Sequence, residues 1–535
     1  MSRHIRSTAL ASAALMVAVG ATVAGCGGGD DGKADGPSGI RETHSATASP
    51  AGADPGLPRA LTNQQVKWGA CEAPSTLQGG GDKPGDAWQC GTLKAPLDYA
   101  KPQGEAIDLA LIRKPATDAD QRIGSLVFNF GGPGGSGVAT LPSFAEDYEE
   151  LGTRYDLVSF DPRGVGESAG ITCLTDQERD ASATVDGTPD DEQELQAGLA
   201  DARKFAAACQ RTSGKVLPHV DTVSAARDLD LMRTVLGDEK LHYVGFSYGT
   251  ELGGTYAGLF PNKVGRAVFD AVVDPNTDLK ASALAQARGF QLALDNYLKD
   301  CTQGADCPVG ADPAEGRQRI QALLKDLETQ PLPTEDGDRE LTAGQALGGI
   351  IASLYDKEGW EYLSYGLQEA IEAGQGSVLL LLADSQAGRD EKGRYSNIQA
   401  ANAAISCRDV RQRFTPEQVK AELPAFRAAS PIFGESLAWS LLSCTDWPVP
   451  GLHDHPRVSA PGAPPILVIG TTGDPATPYA GARAMARQLG KGVGVELTYR
   501  GEGHGAYGSG NDCVTRNVND YLLKGVVPAN GTTCG

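Results

Sequence analysis

The stretch that decides the fold reads Leu-His-Tyr-Val-Gly-Phe-Ser-Tyr-Gly and runs from Leu241 to Gly249. Its first residues are apolar and β-prone, which is typical of a buried strand, and residues 250–260 favour a helix. The pattern Gly-x-Ser-x-Gly lies between them, where such a turn lifts a serine hydroxyl clear of the backbone at the helix N-terminus. We therefore predict that Ser247 is a nucleophile on a strand–turn–helix unit.

A second Gly-x-Ser-x-Gly pattern surrounds Ser168 but lacks this context. It follows a loop that contains Pro162 and Gly164, and no evident helix comes after it, so we assign Ser168 a structural role in a turn. Arg163 in the same loop could reach an active site. A salt bridge that anchors the loop is at least as good an explanation, and we treat this arginine as structural.

The segments around residues 241–260 alternate between short apolar runs and helical patterns. A helix is predicted near residues 223–235, because its apolar residues recur with a period near 3.6 and Gly237 follows as a stop. This alternation predicts an α/β fold whose mostly parallel sheet carries helices on both faces. The other predicted strands span residues 107–112, 125–130, 155–160, 264–272, 466–469 and 495–499.

A long stretch without clear strand signals separates the last two strands from the others. We interpret it as a helical cap inserted into a sheet domain. The first part of the core then covers residues 61–275, the cap residues 276–450, and the second part of the core residues 451–535. The helices predicted in the cap span about residues 279–300, 316–328, 344–355, 361–384 and 416–428.

The first 26 residues are typical of an export signal, with Arg3 and Arg6 before a short apolar run that is too rich in Ala and Gly for a convincing membrane span. The residues before Cys26 resemble the lipobox of bacterial lipoproteins, which implies a lipid on that cysteine and anchoring to the cell membrane. The alternative is an ordinary secretory signal cut nearby, which leaves Cys26 unpaired. Both interpretations place the protein outside the cytoplasm.

Residues 27–60 contain few large apolar side chains and are predicted to be a flexible tether. Ten of the eleven cysteines remain beyond Cys26, and an oxidising compartment favours disulfides among them. No CxxC pattern supports a zinc site. The connectivity does not follow from the sequence, and proximity along the chain suggests the pairs Cys71/Cys90, Cys173/Cys209, Cys301/Cys307, Cys407/Cys444 and Cys513/Cys534.

Composition limits the partners of this chain of 535 residues, of which 40% are hydrophobic and 21% charged. That balance is sufficient for a sizeable core. The net charge of −21 repels phosphate backbones and anionic lipid surfaces, so nucleic acid is not an expected partner. Membrane contact is expected only through the lipid anchor, and the oligomeric state is not indicated.

The Gly-rich segment 131–137 follows a predicted strand and admits two interpretations. Gly132, Gly134 and Gly137 match the GxGxxG fingerprint of dinucleotide sites. Export and Pro133, which removes one N–H that would approach a pyrophosphate, argue against a nicotinamide cofactor. The other interpretation is an oxyanion hole, formed by the backbone N–H of Tyr248 and, less directly, of Gly132.

A serine nucleophile needs a base and an orienting acid, and the order Ser, Asp, His along the chain narrows the choice. His504 lies in a Gly-rich loop directly after the strand predicted at residues 495–499, where catalytic groups of parallel sheets are found. Asp474 follows the strand predicted at residues 466–469 and is our choice of acid, with Asp446 as the alternative. Glu251 and Glu435 are weaker candidates for binding a substrate amine.

Several motifs together resemble the secreted tripeptidyl aminopeptidases of actinomycetes, over nearly the whole chain from about residue 66 to residue 534. The resemblance implies an α/β-hydrolase core with a helical cap, relatedness to prolyl iminopeptidases and to lipid-anchored streptomycete proteinases, and action at the free N-terminus of peptides. Prolyl iminopeptidases usually have His where this chain has Phe130, a departure that argues against single-residue proline specificity. The motifs are Phe130-Gly131-Gly132-Pro133-Gly134, Asp161-Pro162-Arg163-Gly164-Val165-Gly166-Glu167-Ser168, Gly245-Phe246-Ser247-Tyr248-Gly249-Thr250, Cys444-Thr445-Asp446-Trp447-Pro448, Asp474-Pro475-Ala476-Thr477-Pro478 and Gly503-His504-Gly505.

Three functions follow from these residues. The first is a serine peptidase that cuts a peptide substrate through an acyl-enzyme and needs neither cofactor nor metal. The second is a carboxylesterase that uses the same triad. The third is a non-catalytic lipoprotein that binds peptides, which would require a broken triad.

Overall fold

The computed structural model describes residues 56–304, 306–456 and 458–535. The predicted signal peptide, the lipidated Cys26 and residues 27–55 of the predicted tether lie outside the described residues. Helix α1 (Arg59–Thr62) begins before the predicted end of the tether at residue 60. Leu57, at the end of the segment predicted as a tether, packs against the same core cluster that contains Leu61.

A ten-stranded sheet forms the centre of the molecule in the order β1-β2-β3-β5-β4-β6-β7-β10-β11-β12. The pairs β1/β2, β2/β3 and β3/β5 are antiparallel, and all later pairs are parallel. The sheet strands are β1 (Gly69–Ala70), β2 (Gln89–Pro96), β3 (Ala106–Lys114), β4 (Gly124–Asn129), β5 (Tyr155–Phe160), β6 (Leu241–Phe246), β7 (Val264–Asp270), β10 (Ile466–Gly473), β11 (Gly494–Glu502) and β12 (Thr532–Cys534).

The central strands are apolar because both faces of the sheet are covered. Every residue of β4 and β5 is buried. One core cluster contains side chains of α5, α6 and α15, and the other contains side chains of α2 and α16 on the opposite face. The core helices are α2 (Gly137–Ser143), α3 (Asp176–Ser182), α4 (Glu192–Ser213), α5 (Thr222–Val235), α6 (Tyr248–Leu259), α15 (Ala480–Leu489) and α16 (Asp512–Asn519). The predicted α/β architecture with helices on both faces is confirmed.

The chain between β7 and β10 is mainly helical and has two apolar clusters of its own, one of which includes side chains of the core helix α4. A two-stranded hairpin, β8 (Leu332–Pro333) and β9 (Glu340–Leu341), interrupts the helices and was not expected. The helices of this part are α7 (Leu279–Cys301), α8 (Pro313–Thr329), α9 (Ala343–Leu354), α10 (Gly359–Gln368), α11 (Ser377–Ala387), α12 (Ile398–Asp409), α13 (Pro416–Ala429) and α14 (Gly434–Trp439).

One predicted cap helix is wrong as a single element. Residues 361–384 were expected to be continuous, but α10 passes into a π-helical turn (Glu369–Ala373) and ends at Gly374. Gly374 has a φ of 64°, the left-handed conformation in which glycine terminates helices, and α11 begins after it. The periodicity of apolar residues continues across this break and hides it. Strand β2 and helices α4, α12 and α14 were not predicted.

Five disulfides join the pairs that proximity suggested: Cys71–Cys90, Cys173–Cys209, Cys301–Cys307, Cys407–Cys444 and Cys513–Cys534. Their Cα–Cα distances lie between 4.1 and 5.6 Å. The bond Cys407–Cys444 links α12 to the segment that follows α14 and therefore ties two distant parts of the cap region together.

Candidate active site

Ser247 lies between β6 and α6 in a strained backbone conformation, with φ 55° and ψ −125°. A positive φ is unusual for a residue other than glycine, and the surrounding structure must maintain it. The two flanking glycines explain why the turn is possible. A Cβ on Gly245 would lie 2.4 Å from the carbonyl oxygen of Gly249, and one on Gly249 would lie 2.6 Å from that of Asn129. The Gly-x-Ser-x-Gly pattern is therefore a steric requirement of this turn.

Asp474 and His504 are brought together at the carboxyl ends of β10 and β11. The Nδ1 atom of His504 lies 2.9 and 3.1 Å from the two carboxylate oxygens of Asp474. The Asp474 side chain is fully buried and the His504 side chain is 9% exposed. Asp474 also accepts the N–H and the hydroxyl of Thr477, at 2.8 and 2.9 Å. These contacts hold the carboxylate in one orientation towards the imidazole.

The surroundings of His504 shift its protonation equilibrium. Burial acts to lower the pKa of the imidazole, but the charge of Asp474 and its hydrogen bond to Nδ1 outweigh burial, and Asp270 adds to their effect. The pKa of His504 is therefore raised above its ordinary value. An imidazole with this pKa accepts a proton readily and is stabilised once it carries the charge.

Asp270 at the end of β7 connects the nucleophile turn to the histidine loop. Its backbone carbonyl accepts the N–H of Ser247 at 3.1 Å. Its carboxyl accepts the N–H groups of Ala506 and Tyr507 at 2.8 and 2.7 Å. Burial raises the pKa of Asp270 to about 6, against the effect of these backbone donors. In the sequence, nothing distinguishes Asp270 except its position at the end of a buried strand.

The Gly-rich turn after β4 packs directly against Ser247. A Cβ on Gly131 would lie 2.8 Å from the Cβ of Ser247 and 3.2 Å from the backbone N of Tyr248. Gly131 and Gly132 have φ of 89° and 109°, a region that L side chains rarely adopt. The backbones of both predicted oxyanion donors, Gly132 and Tyr248, thus belong to two segments in close contact beside Ser247.

The cap region contacts both the histidine loop and the Gly-rich turn. The carbonyl of Tyr355 accepts the backbone N–H of His504 at 2.7 Å, and the two rings meet edge to face at 5.3 Å. Asn402 on α12 donates its side-chain amide to the carbonyl of Pro133 at 3.0 Å. A Cβ on Gly134 would lie 2.5 Å from the carbonyl oxygen of Ile398. The cap therefore supports the site as well as covering it.

A cavity of about 110 Å³ opens between the core and the cap at this place. Gly131, Gly132 and Phe246 line it beside the nucleophile, and His504 lines it from the other side. Among the described residues, the hydroxyl of Ser247 forms no hydrogen bond to His504 or to any other group, whereas its backbone N–H donates to the carbonyl of Asp270. Hydrogen bonds of this kind often tighten only when substrate is bound.

Sequence comparisons relate this chain to known hydrolases. A model of the family described as "TAP-like protein" matches residues 430–534. Serine protease Hip1 of Mycobacterium tuberculosis is 39% identical over 490 residues, which cover 88% of this chain and 91% of that protein. Carboxylesterase B of the same species is 36% identical, with coverages of 91% and 93%. Tripeptidyl aminopeptidase of Streptomyces lividans is 32% identical, with 83% of each chain covered.

The chain belongs to the TAP-like family of α/β hydrolases. The family and the fold expected from the sequence motifs are thereby confirmed, and the TAP-like chain is a serine hydrolase. Within the ranges that the structure describes, no helix of this hydrolase is long and apolar enough to span a bilayer.

The remaining candidates of the TAP-like hydrolase lie away from the Asp474–His504 pair. The runner-up acid Asp446 forms an exposed salt bridge with Arg203 at 2.9 Å. Ser168 is buried, and its hydroxyl accepts the N–H of Ala110 at 2.8 Å. Asp446 is thus paired at the surface, and Ser168 holds the backbone of β3.

Arg163 is also held by structural contacts in this hydrolase. Its guanidinium is buried and forms a two-pronged salt bridge with Asp228, with both distances 2.7 Å. It further donates to the carbonyls of Pro96, Leu97 and His219. All its donors are directed into the core, so the arginine anchors its loop.

The two amine candidates differ in their surroundings. Glu435 forms a bidentate salt bridge with Arg427, at 2.6 and 2.9 Å, so its charge is already compensated. Burial raises the pKa of Glu251 to about 7, and its charge acts on the nearby Asp409. Neither glutamate lines the cavity beside His504.

Proposed function

We propose that this TAP-like hydrolase is an exported serine aminopeptidase that releases short peptides, of three residues, from the free N-terminus of peptide substrates. The observation that carries the proposal is the hydrogen bond of His504 Nδ1 to buried Asp474, next to a cavity that the residues flanking Ser247 also line. Ser247, Asp474 and His504 are the proposed catalytic triad, and Tyr248 and Gly132 the proposed oxyanion donors.

The mechanism follows from the position of each group. His504 Nε2 takes the proton of Ser247 Oγ, which attacks the scissile carbonyl carbon, and the charge that develops on the carbonyl oxygen meets the N–H groups of Tyr248 and Gly132. His504 then protonates the leaving amine, and an acyl-enzyme remains on Ser247. Water, deprotonated by His504, hydrolyses that ester and restores the serine. Asp474 fixes the tautomer and stabilises the imidazolium.

The restriction to short N-terminal pieces rests on the cap and on the relatives. Tyr355 and Ile398 close the cavity from the cap side, which leaves little room for a folded protein. A relative of 32% identity bears the name tripeptidyl aminopeptidase, and one of 39% identity the name serine protease. Five disulfides fit an oxidising compartment, which supports export, and a lipid on Cys26 remains our proposal for the anchor.

A second candidate function is carboxylester hydrolysis, because a relative of 36% identity is named carboxylesterase. The same triad would serve an ester, and the apolar cavity would receive an acyl chain. A binding lipoprotein without catalysis is the third candidate, and an Asp474–His504 pair with intact geometry argues against it.

Three chromogenic substrates separate these candidates when they are given to the purified mature protein. They are a free-amine tripeptide anilide, the same anilide with its amine blocked, and a short-chain nitrophenyl ester. The proposal expects turnover of the free-amine anilide that Ser247→Ala abolishes, while Ser440→Ala, an exposed serine of the cap region, leaves it unchanged.

The other outcomes are equally decisive. Cleavage of the ester alone makes the protein an esterase. Equal cleavage of both anilides removes the requirement for a free N-terminus. Absence of any turnover that depends on Ser247 makes it a binding protein.

A further inference from the structure

The core side of the cavity next to Ser247 is aromatic. Phe130, Phe144, Tyr148 and Phe246 line it. Phe130 stacks on Phe246 at 5.8 Å and on Phe144 at 5.7 Å between ring centroids. Phe130 and Phe144 are only partly buried, so ring surface remains available to a guest. Ordered, uncovered aromatic faces of this kind gain most from contact with another apolar group.

The rest of the lining is mainly apolar, with Gln78 and the hydroxyl-bearing residues Ser136, Thr140 and Ser396 as its polar members. Leu77, Ile398 and Tyr355 contribute carbon surface from the N-terminal segment and the cap. Gln78 is engaged at both ends, because its amide donates to Asp161 at 2.8 Å and its oxygen accepts the N–H of Ser75 at 3.0 Å.

The charged groups near this wall are not free to receive a ligand. The hydroxyl of Ser136, another lining residue, donates to the same Asp161 at 2.6 Å. Apart from His504, none of the residues that line the cavity is ionisable near neutral pH, and none is Lys, Arg, Asp or Glu.

The volume suits a single side chain. An engineered protein cavity of roughly 150 Å³ binds benzene, so about 110 Å³ holds one branched aliphatic or small aromatic group but not two residues. A charged side chain would enter without a partner, and burial of an unpaired charge is strongly unfavourable. The cavity therefore selects by both size and charge.

We propose, on the basis of the function proposed above, that this cavity receives the side chain of the residue whose carbonyl Ser247 attacks, and that it selects uncharged apolar residues of the Leu and Phe class over Lys, Arg, Asp and Glu. Four glycines of the oxyanion turn, Gly131, Gly132, Gly134 and Gly135, line the cavity. A side chain next to a carbonyl held at that turn is directed into this space. Phe144 is the proposed specificity-determining residue, because it is partly exposed and belongs to no part of the proposed triad.

The test is a series of free-amine tripeptide anilides that differ only in the residue before the anilide: Leu, Phe, Ala, Lys or Glu. We expect kcat/KM for Leu and Phe to exceed that for Lys and Glu by about 100-fold, in line with the range for apolar pockets. Phe144→Ala should lower the Leu-to-Ala ratio about tenfold, and Phe144→Leu should retain most of it. Phe144→Asp should raise the relative rate on the Lys substrate.

Tyr365→Ala is the matched control, because Tyr365 is an aromatic residue of the cap that is 53% exposed and does not line the cavity. Thermal melts establish whether each variant is folded. If Phe144→Ala is not folded, the comparison uses Phe144→Leu instead. Equal rates on Leu and Lys overturn the inference. A second measurement uses peptides that vary in the residue after the scissile bond. The inference is also overturned if the rate depends only on that residue.

Failure of the proposed aminopeptidase activity has a different signature. In that case no anilide is cleaved, and nitrophenyl esters of 4-methylpentanoic and 6-aminohexanoic acid then test the cavity alone. A preference for the apolar acyl group that Phe144→Ala reduces supports the cavity assignment without peptidase activity. Equal cleavage of both esters overturns it.

Discussion

The backbone carbonyl of Asp270 accepts a hydrogen bond from the N–H of Ser247 at 3.1 Å. The carboxyl group of the same aspartate holds the backbone N–H groups of Ala506 and Tyr507. One buried residue therefore sets the position of the nucleophile turn relative to the loop that carries His504.

Replacement of Asp270 by Asn should disturb the histidine loop without removing any group of the proposed triad. Oδ2 of Asp270 accepts from both Ala506 and Tyr507, and Oδ1 accepts from Ala271. An amide has one acceptor oxygen, so its NH₂ must face one of these two sets of backbone donors. We expect kcat to fall about 10- to 100-fold through misplacement of His504, with a smaller change in KM. Steady-state kinetics on the best anilide or ester measure this. Asp108→Asn, at an exposed salt bridge, is the control, and an unchanged kcat in Asp270→Asn would contradict the link.

The decrease of kcat/KM at acidic pH should report the protonation of His504. The imidazole must be neutral to act as a base, and its pKa is raised above the ordinary value of 6.5, so kcat/KM should begin to fall on acidification at a pH above 6.5. Asp474→Asn removes the carboxylate whose charge and hydrogen bond raise this pKa most, and leaves burial, which lowers it, and the smaller effect of Asp270. The acid limb should then move to lower pH, and kcat should fall about 10⁴-fold.

Asp446→Asn tests, in the same pH profile, whether Asp446 and not Asp474 is the acid that orients His504. Asp446 is exposed and bound to Arg203, so its replacement should leave both the profile and kcat unchanged. An acid limb that moves in Asp446→Asn but not in Asp474→Asn would reverse the assignment.

Gly131→Ala should inactivate the enzyme through crowding at the oxyanion turn. The new methyl group would lie 2.7 Å from the carbonyl oxygen of Phe246 and 2.8 Å from the Cβ of Ser247, on a residue with a φ of 89°. We expect a loss of kcat of about 10²-fold, comparable to the loss of one oxyanion donor. Gly187→Ala, where the methyl group meets nothing within 4 Å, should retain full activity. Near wild-type activity of Gly131→Ala would exclude close packing of the turn on the nucleophile.

Removal of the disulfide Cys407–Cys444 should destabilise the folded protein more than removal of Cys301–Cys307. The first bond closes a loop with a sequence separation of 37 and the second one of 6. Loop-closure entropy predicts losses in the free energy of unfolding of about 4 and about 2 kcal/mol. Paired Cys→Ala variants compared by urea unfolding measure the difference. A larger loss for the shorter loop would show that chain entropy does not dominate at these sites.

The sequence by itself determined the local elements and the chemistry they carry. The strands predicted at residues 155–160 and 241–246 coincide with β5 and β6, because a strand covered on both faces is mainly apolar, with Asp156, Ser159 and His242 as the polar exceptions. Gly245 and Gly249 marked the nucleophile turn, since no larger residue fits there. Each disulfide joins cysteines that are neighbours in the cysteine order, which made proximity a sufficient guide.

Only the tertiary structure decided which distant segments meet at the site. Asp270 lies more than 230 positions from Tyr507, and Asn402 lies nearly 270 positions from Pro133. Hydrophobic periodicity and turn sterics depend on residues near each other in the chain, whereas these contacts depend on how helices and strands pack. The aromatic cavity also depends on contacts between distant segments, because its walls come from the N-terminal segment, the core and the cap. The residues of the proposed triad could therefore be selected from the sequence, whereas the cavity beside them could not be predicted.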